Sequence, residues 1–249
     1  MSLTDFNQGR VVDRVDFCDD LAMFKVKMDV PFNFKAGQYV SLGVEGNGKI
    51  IQRPYSIISS PLEPFLEFFI ELVPNGELTP RLWELKPGST LLVRNRFVGT
   101  LVLDEGNGNR RHLMVGTVTG AVPYISIARH EKLRLEREKR EPNQLLIIHG
   151  ASRSSEFGTY KDEMAEIARD GWMTYVPTVS RPWEDPEWKG ERGRVEDVVR
   201  KHADRFGLDG SNSTGYACGH PQMIENTKGI FQRAGFPKEH IRTEKFFTL

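Results

Sequence analysis

The 249-residue sequence predicts two domains in series: an antiparallel β sandwich or barrel over residues 1–108 and an α/β domain on a doubly wound parallel sheet over residues 109–249. Three observations carry this. The length is ample for two cores, since domains run about 100–150 residues each. Up to about residue 108, short apolar segments are punctuated by Pro, Gly and Asn, as in antiparallel strands. Beyond it, short apolar strands alternate with longer amphipathic stretches, as in parallel β–α units.

In the first half, strands are expected at 23–30, 38–44, 55–58, 66–72 and 90–93, broken by Pro31, Gly37, Gly46-Asn47-Gly48, Pro61, Pro64 and Pro74-Asn75-Gly76. One short helix opens at Thr79-Pro80, a cap-like Thr followed by Pro, and closes at Lys86-Pro87-Gly88. After the Gly/Asn-rich loop at 105–109, a strand at 112–115 ends in Gly116, and a charge-rich helix is expected over 124–140. Strands at 144–149, 173–179 and 216–218 then alternate with helices at 161–169, 195–201 and 223–234.

Hydrophobic residues make up 39% and charged residues 27%, which is globular and not disordered composition. Lys+Arg 34 balance Asp+Glu 34, so no global field draws the chain to nucleic acid or an anionic membrane. Cys18 and Cys218 match no metal-ligand spacing, which excludes an iron–sulfur cluster and leaves no metal site expected. No apolar run approaches the roughly 18–20 residues of a membrane span, and the first ten residues lack a leader's hydrophobic core. The expected setting is cytoplasmic, without membrane or nucleic-acid partners.

Four motifs carry chemistry. Arg53-Pro54-Tyr55-Ser56, following a strand that ends near Ile51, reads blandly as an edge strand with a surface arginine. An Arg for a diphosphate, a Tyr to stack on a flat ring and a Ser to bond a ring nitrogen would together make half a flavin site. Gly76-Glu77-Leu78-Thr79-Pro80 is a capped helix start, and free N–H groups there also suit a diphosphate. Gly116-Thr117-Val118-Thr119-Gly120-Ala121-Val122-Pro123 lies at the carboxyl end of the first parallel strand, where open α/β sheets bind dinucleotides, without being G-x-G-x-x-G. Cys218-Gly219-His220-Pro221 ends a later strand, where a lone Cys is ordinarily a small apolar residue.

In this order, from about residue 10 to the C-terminus, these motifs resemble the ferredoxin–NADP reductases, and within them the bacterial ferredoxin/flavodoxin–NADP reductases. The segment Gly99-Thr100-Leu101-Val102-Leu103-Asp104 is similar to the family's interdomain link. The resemblance implies a Greek-key β-barrel holding FAD and an α/β domain holding NADP(H), with hydride transfer followed by one-electron exchange with ferredoxin or flavodoxin. It assigns FAD to Arg53, Pro54, Tyr55, Ser56, Ile70, Glu77, Leu78, Thr79 and Thr119, with Tyr55 stacking on the ring and Arg53 and Thr79 holding the diphosphate. The terminal Phe246 and Phe247 would cover the other flavin face. It assigns NADP to Gly116, Thr117, Thr119, Gly120, Ser180, Cys218 and Gly219. Ser56, Cys218, Glu244 and Phe246 would border the hydride path.

Arg153, Arg181 and Arg194 match the family's NADP-specific members. Arg153 and Arg181 follow strands at their carboxyl ends, where Arg suits a 2′-phosphate and Asp or Glu a 2′-hydroxyl. The chain departs from the family's G-T-G at Val118. A monomer is expected. Two other readings are a flavin reductase or oxygenase reductase component, which usually prefers NADH or carries its own iron–sulfur domain, and a non-catalytic nucleotide sensor, against which the intact Arg53-Pro54-Tyr55-Ser56 argues.

Overall fold

The computed structural model describes residues 3–46, 48–104, 106 and 108–245. Its first half contains β1 (Phe6–Cys18), β2 (Leu21–Met28), β3 (Tyr39–Gly46), β4 (Lys49–Ser56), β5 (Leu66–Glu71), α1 (Thr79–Trp83) and β6 (Thr90–Arg94). The strands form one antiparallel sheet in the order β4-β3-β6-β1-β2-β5. The connection from β5 through α1 returns β6 between β3 and β1, a Greek-key crossover. The sheet rolls up until its ends meet, where the Ile58 N–H donates to the Glu67 carbonyl at 2.8 Å. Phe24, Val26, Val40, Leu42, Leu66, Phe68 and Val93 fill the interior, with Leu78 and Leu82 packed into the same core.

Three local readings need correction. The sequence suggests no strand before residue 23, yet β1 is the longest strand and lies inside the sheet between β6 and β2. Bulges between Val11 and Asp13 and between Asp16 and Cys18 break the two-residue alternation by which strands are recognised. The second correction concerns Arg53-Pro54-Tyr55-Ser56, which does not follow a strand but forms the second half of β4. β4 pairs only with β3 in the ladder, so Pro54 occupies an edge strand, where its missing N–H is tolerated. Thr79, expected as a cap, is instead the first helical residue, with Leu78 at the N-cap. Its hydroxyl is committed to Val73, accepting from the N–H at 2.9 Å and donating to the carbonyl at 3.0 Å.

The second half contains β7 (Arg111–Thr117), α2 (Val122–Arg137), β8 (Gln144–Ala151), α3 (Tyr160–Ala168), β9 (Met173–Val179), β10 (Glu191–Arg192), α4 (Val195–Arg205), β11 (Thr214–Gly219), α5 (Pro221–Arg233) and β12 (Ile241–Lys245). All six strands are parallel, in the order β10-β9-β8-β7-β11-β12. The chain winds outward from β7 through β8 and β9, then crosses to β11 on the other side, which places a topological switch point between β7 and β11. Successive side chains on β7 point to opposite faces. Met114 joins Ile125, Ile127 and Met164 of α2 and α3, while Leu113 and Val115 join Val198, Val199, Ile224 and Phe231 of α4 and α5.

The two halves share a core. Leu21, Met23, Ile58 and Phe69 of the barrel pack in one cluster with Tyr124, Ile127 and Ala128 of α2. A charged seam runs beside it: Arg129 on α2 contacts Glu67 of β5 at 3.0 Å and Glu163 of α3 at 2.6 Å, and the Tyr160 hydroxyl donates to Glu67 at 3.2 Å. The Ser126 hydroxyl donates to the Ser59 carbonyl at 2.7 Å.

Candidate functional site

A cleft of about 570 Å³ opens on the barrel where it meets the second sheet. Most of its lining surface is apolar, with a few polar groups converging, the character of a cofactor site. It brings together Arg53, Pro54, Tyr55 and Ser56 of β4, Ile70 of β5, Glu77, Leu78 and Thr79 before and in α1, Thr119 of the second half and Glu244 of β12. These are the expected FAD residues among those described, together with Glu244, which like Ser56 was expected on the hydride path; Phe246 and Phe247 lie outside the described residues. Tyr39 and Glu71 also line the cleft and lie in no motif that would have singled them out, while Thr100 and Val122 reach it from the interdomain segment and from the turn after β7.

The donor set fits a flavin dinucleotide. Tyr55 presents a half-buried ring whose phenol is pushed up by burial and so stays neutral. Arg53 holds Glu77 at 3.0 Å, but the Glu77 side chain is 71% exposed, so this pair contributes little and can exchange for a diphosphate. The first turn of α1 leaves N–H groups without helical acceptors, while the Thr79 hydroxyl shapes the turn.

At the rim, Glu244 accepts from the Thr100 N–H and, at 3.2 Å, from its hydroxyl. Burial raises the Glu244 pKa above the usual carboxylate range. Cys218 pairs in register with Glu244 and is fully buried, its thiol pushed up by burial first and by Glu244 second, so it is neutral and its sulfur is packed away.

A second cleft of about 350 Å³ opens at the carboxyl ends of β7, β8, β9 and β11. Thr117, Val118, Ser180 and Arg194 line it, as do Ser152, His220, Gln222 and Met223. Gly116, Gly120 and Gly219, expected at the nucleotide, act through close packing. A Cβ on Gly120 would stand 2.4 Å from the Cys218 carbonyl oxygen, and one on Gly219, at φ +131°, would stand 2.3 Å from the Thr117 hydroxyl. Glycine therefore lets the turn after β7 settle against the end of β11. The same turn divides the clefts, Val118 facing the second and Thr119 the first.

Val118 has φ +43°, the one non-glycine residue with positive φ among those described. A β-branched side chain is unfavourable there. Its carbonyl is held by His149 of β8, 3.0 Å from Nε2, while Nδ1 lies 2.8 Å from the Tyr175 hydroxyl of β9. A carbonyl can only accept, so Nε2 carries the proton and Nδ1 accepts from Tyr175. Full burial lowers the His149 pKa to about 4 and keeps the ring neutral. Sequence reasoning missed His149 and Tyr175 because each reads as one more residue of a buried strand.

Arg153 and Arg181 stand just beyond β8 and β9, as expected, and both reach Glu184. Among the described residues no cluster of His, Cys, Asp or Glu could hold a metal, and no helix is long and apolar enough to cross a membrane.

Comparison with known proteins agrees with this geometry. Residues 8–97 match the oxidoreductase FAD-binding domain family and residues 114–229 the oxidoreductase NAD-binding domain family. A flavodoxin/ferredoxin–NADP reductase of Shigella flexneri is 31% identical over 237 residues, covering 91% of this chain and 90% of that protein. A ferredoxin–NADP reductase of Azotobacter vinelandii is 32% identical over 246 residues, covering 94% and 92%. In structure, a ferredoxin NADP+ reductase from Neisseria gonorrhoeae with bound FAD and NADP superposes with TM-score 0.85 at 21% identity, covering 98% of this chain and 99% of that one, a likeness of fold. With the motifs in order, both halves matched and relatives aligned over nine-tenths of their length, the chain belongs to the ferredoxin/flavodoxin–NADP reductase family.

Proposed function

We propose that this protein is an FAD-dependent reductase that exchanges a hydride with NADP(H) and single electrons with ferredoxin or flavodoxin, the carriers for which its relatives are named. The observation that carries the reading is the shared wall. One turn, residues 117–119, lines both the cleft suited to a flavin and the cleft at the switch point suited to a nucleotide.

FAD bound in the first cleft supplies two-electron exchange with a nicotinamide and one-electron exchange with a carrier. The chain supplies the rest. Tyr55 offers a stacking face, Ser56 a hydroxyl at the ring edge and Arg53 a cation for the diphosphate. Glu244, tied to Thr100, holds β12 against the link between the halves and sets at the rim of the cleft a carboxyl whose pKa burial raises. The buried neutral Cys218 keeps the floor under the turn apolar and closely packed. Arg153, Arg181 and Arg194 take the 2′-phosphate side of the nucleotide.

The test is direct. Purified protein is expected to release FAD on acid precipitation, to lose its yellow colour anaerobically with NADPH, and then to reduce ferredoxin or flavodoxin. Bleaching by NADH alone, or electron delivery only to free flavin, would select a flavin-reductase or oxygenase-reductase reading instead.

A further inference from the structure

We propose that Glu184 is an internal counter-ion that holds the 2′-phosphate position between Arg153 and Arg181 and thereby limits how strongly the site prefers a 2′-phosphorylated nucleotide. This rests on the reading above that these arginines receive the 2′-phosphate.

Glu184 ends a one-turn segment, Pro182–Glu184, just past the carboxyl end of β9. One carboxylate oxygen bonds the Arg153 guanidinium, and the other lies 3.7 Å from that of Arg181. A bridging anion with one oxygen on each arginine is the arrangement a phosphate would make. The neighbouring carboxylates are committed elsewhere. Glu156, 3.6 Å from Arg153, accepts from the Ser152 N–H at 2.8 Å, and Asp185 accepts from the Ser154 N–H at 2.7 Å. Those two carboxylates are tied to the backbone after β8, so the one that can yield is Glu184.

The fold does not need this charge. Arg153 and Arg181 are 45% and 49% exposed and Glu184 33%, and ion pairs in that setting contribute little to stability. What Glu184 does is neutralise both cations until a stronger anion arrives. A phosphate near neutral pH carries more charge and more acceptor oxygens than a carboxylate, so it displaces Glu184, but each binding event must first break these contacts. A nucleotide with a bare 2′-hydroxyl meets an already neutral site.

Removing the charge should therefore strengthen only the phosphorylated ligand. The FAD-loaded protein is titrated by calorimetry with ADP-ribose 2′-phosphate and with ADP-ribose, so that no redox chemistry enters. Glu184→Gln is expected to tighten the phosphorylated ligand about three- to tenfold, the effect of releasing exposed ion pairs, and to leave ADP-ribose within about twofold. Arg153→Ala and Arg181→Ala should each weaken the phosphorylated ligand alone. If the arginine variants behave so but Glu184→Gln binds it no more tightly, Glu184 props the arginines and the proposal is overturned. Equal changes for both ligands in Glu184→Gln overturn it as well. If the arginine variants do not distinguish the ligands, it is the assignment of the 2′-phosphate to them that fails.

Discussion

Val118→Gly replaces the strained residue at the wall between the clefts with the one residue that adopts φ +43° without penalty. Three terms decide the outcome. Relief of the left-handed conformation returns about 1–3 kcal/mol. Against it stand the extra backbone entropy of glycine, about 0.5–1 kcal/mol, and the lost packing of a half-buried side chain, about 1 kcal/mol. The net change should lie between about 1 kcal/mol lost and about 1.5 kcal/mol gained, a shift of no more than about 3–6 °C in Tm for a chain of this size. Val115 on β7 is the control: fully buried and with no positive φ to relieve, Val115→Gly should cost about 3 kcal/mol, roughly 2 for the buried side chain plus the glycine entropy. Urea unfolding followed by circular dichroism measures both. Because Val118 faces the second cleft, the variant should also bind NADP+ at least as tightly as the parent. A Val118→Gly loss as large as that of Val115→Gly would refute the reasoning, since the left-handed turn would then not be stored strain.

Other outcomes follow from the same structure. His112 and His149, with pKa values lowered by burial to about 4, are neutral when folded and titrate near 6.5 when unfolded. Stability is thus full above pH 6.5 and lost as pH falls toward 4, by up to about 1.4 kcal/mol per pH unit per histidine. His149→Gln, which can still donate to the Val118 carbonyl, should remove one proton from that slope in urea midpoints measured across the window. Arg129→Met should destabilise by up to about 3 kcal/mol, because almost fully buried Glu67 loses its shortest ion pair and keeps only Lys25 at 3.8 Å and the Tyr160 hydroxyl, and adding Glu67→Gln should recover part of the loss in a double-mutant cycle. Tyr55→Ala should weaken FAD retention on dialysis; an unchanged flavin content would remove the stacking role. Phe246→Ala should tighten NADP+ binding about fivefold if the ring must yield to the nicotinamide, an aromatic stack being worth about 1 kcal/mol. If Phe247→Ala responds in its place, the gate is one residue further on.

The sequence by itself determined the class and order of the two halves and singled out several of the residues that line the first cleft. Met173–Val179 matches its expected bounds, and β8, β11 and the four long helices lie within a few residues of theirs, because periodic burial on two faces writes itself into local patterns. The motif residues at 53–56 and 77–79 converge as expected because each cluster is contiguous in the chain. Only the tertiary structure decided what depends on partners far apart. β1 carries its charges among bulges and is recognisable as a strand only through β2 and β6. Val118 is driven to positive φ by a turn pressed against β11, and its carbonyl is held by a histidine 31 residues away. Arg129 is a surface-type residue on a charged helix until Glu67, 62 residues earlier, is buried beside it. Arg153 and Arg181 were legible as cations at strand ends, but the carboxylate between them was not, because which charges neutralise each other is fixed by distances in the fold, and spacing along the chain does not encode those distances.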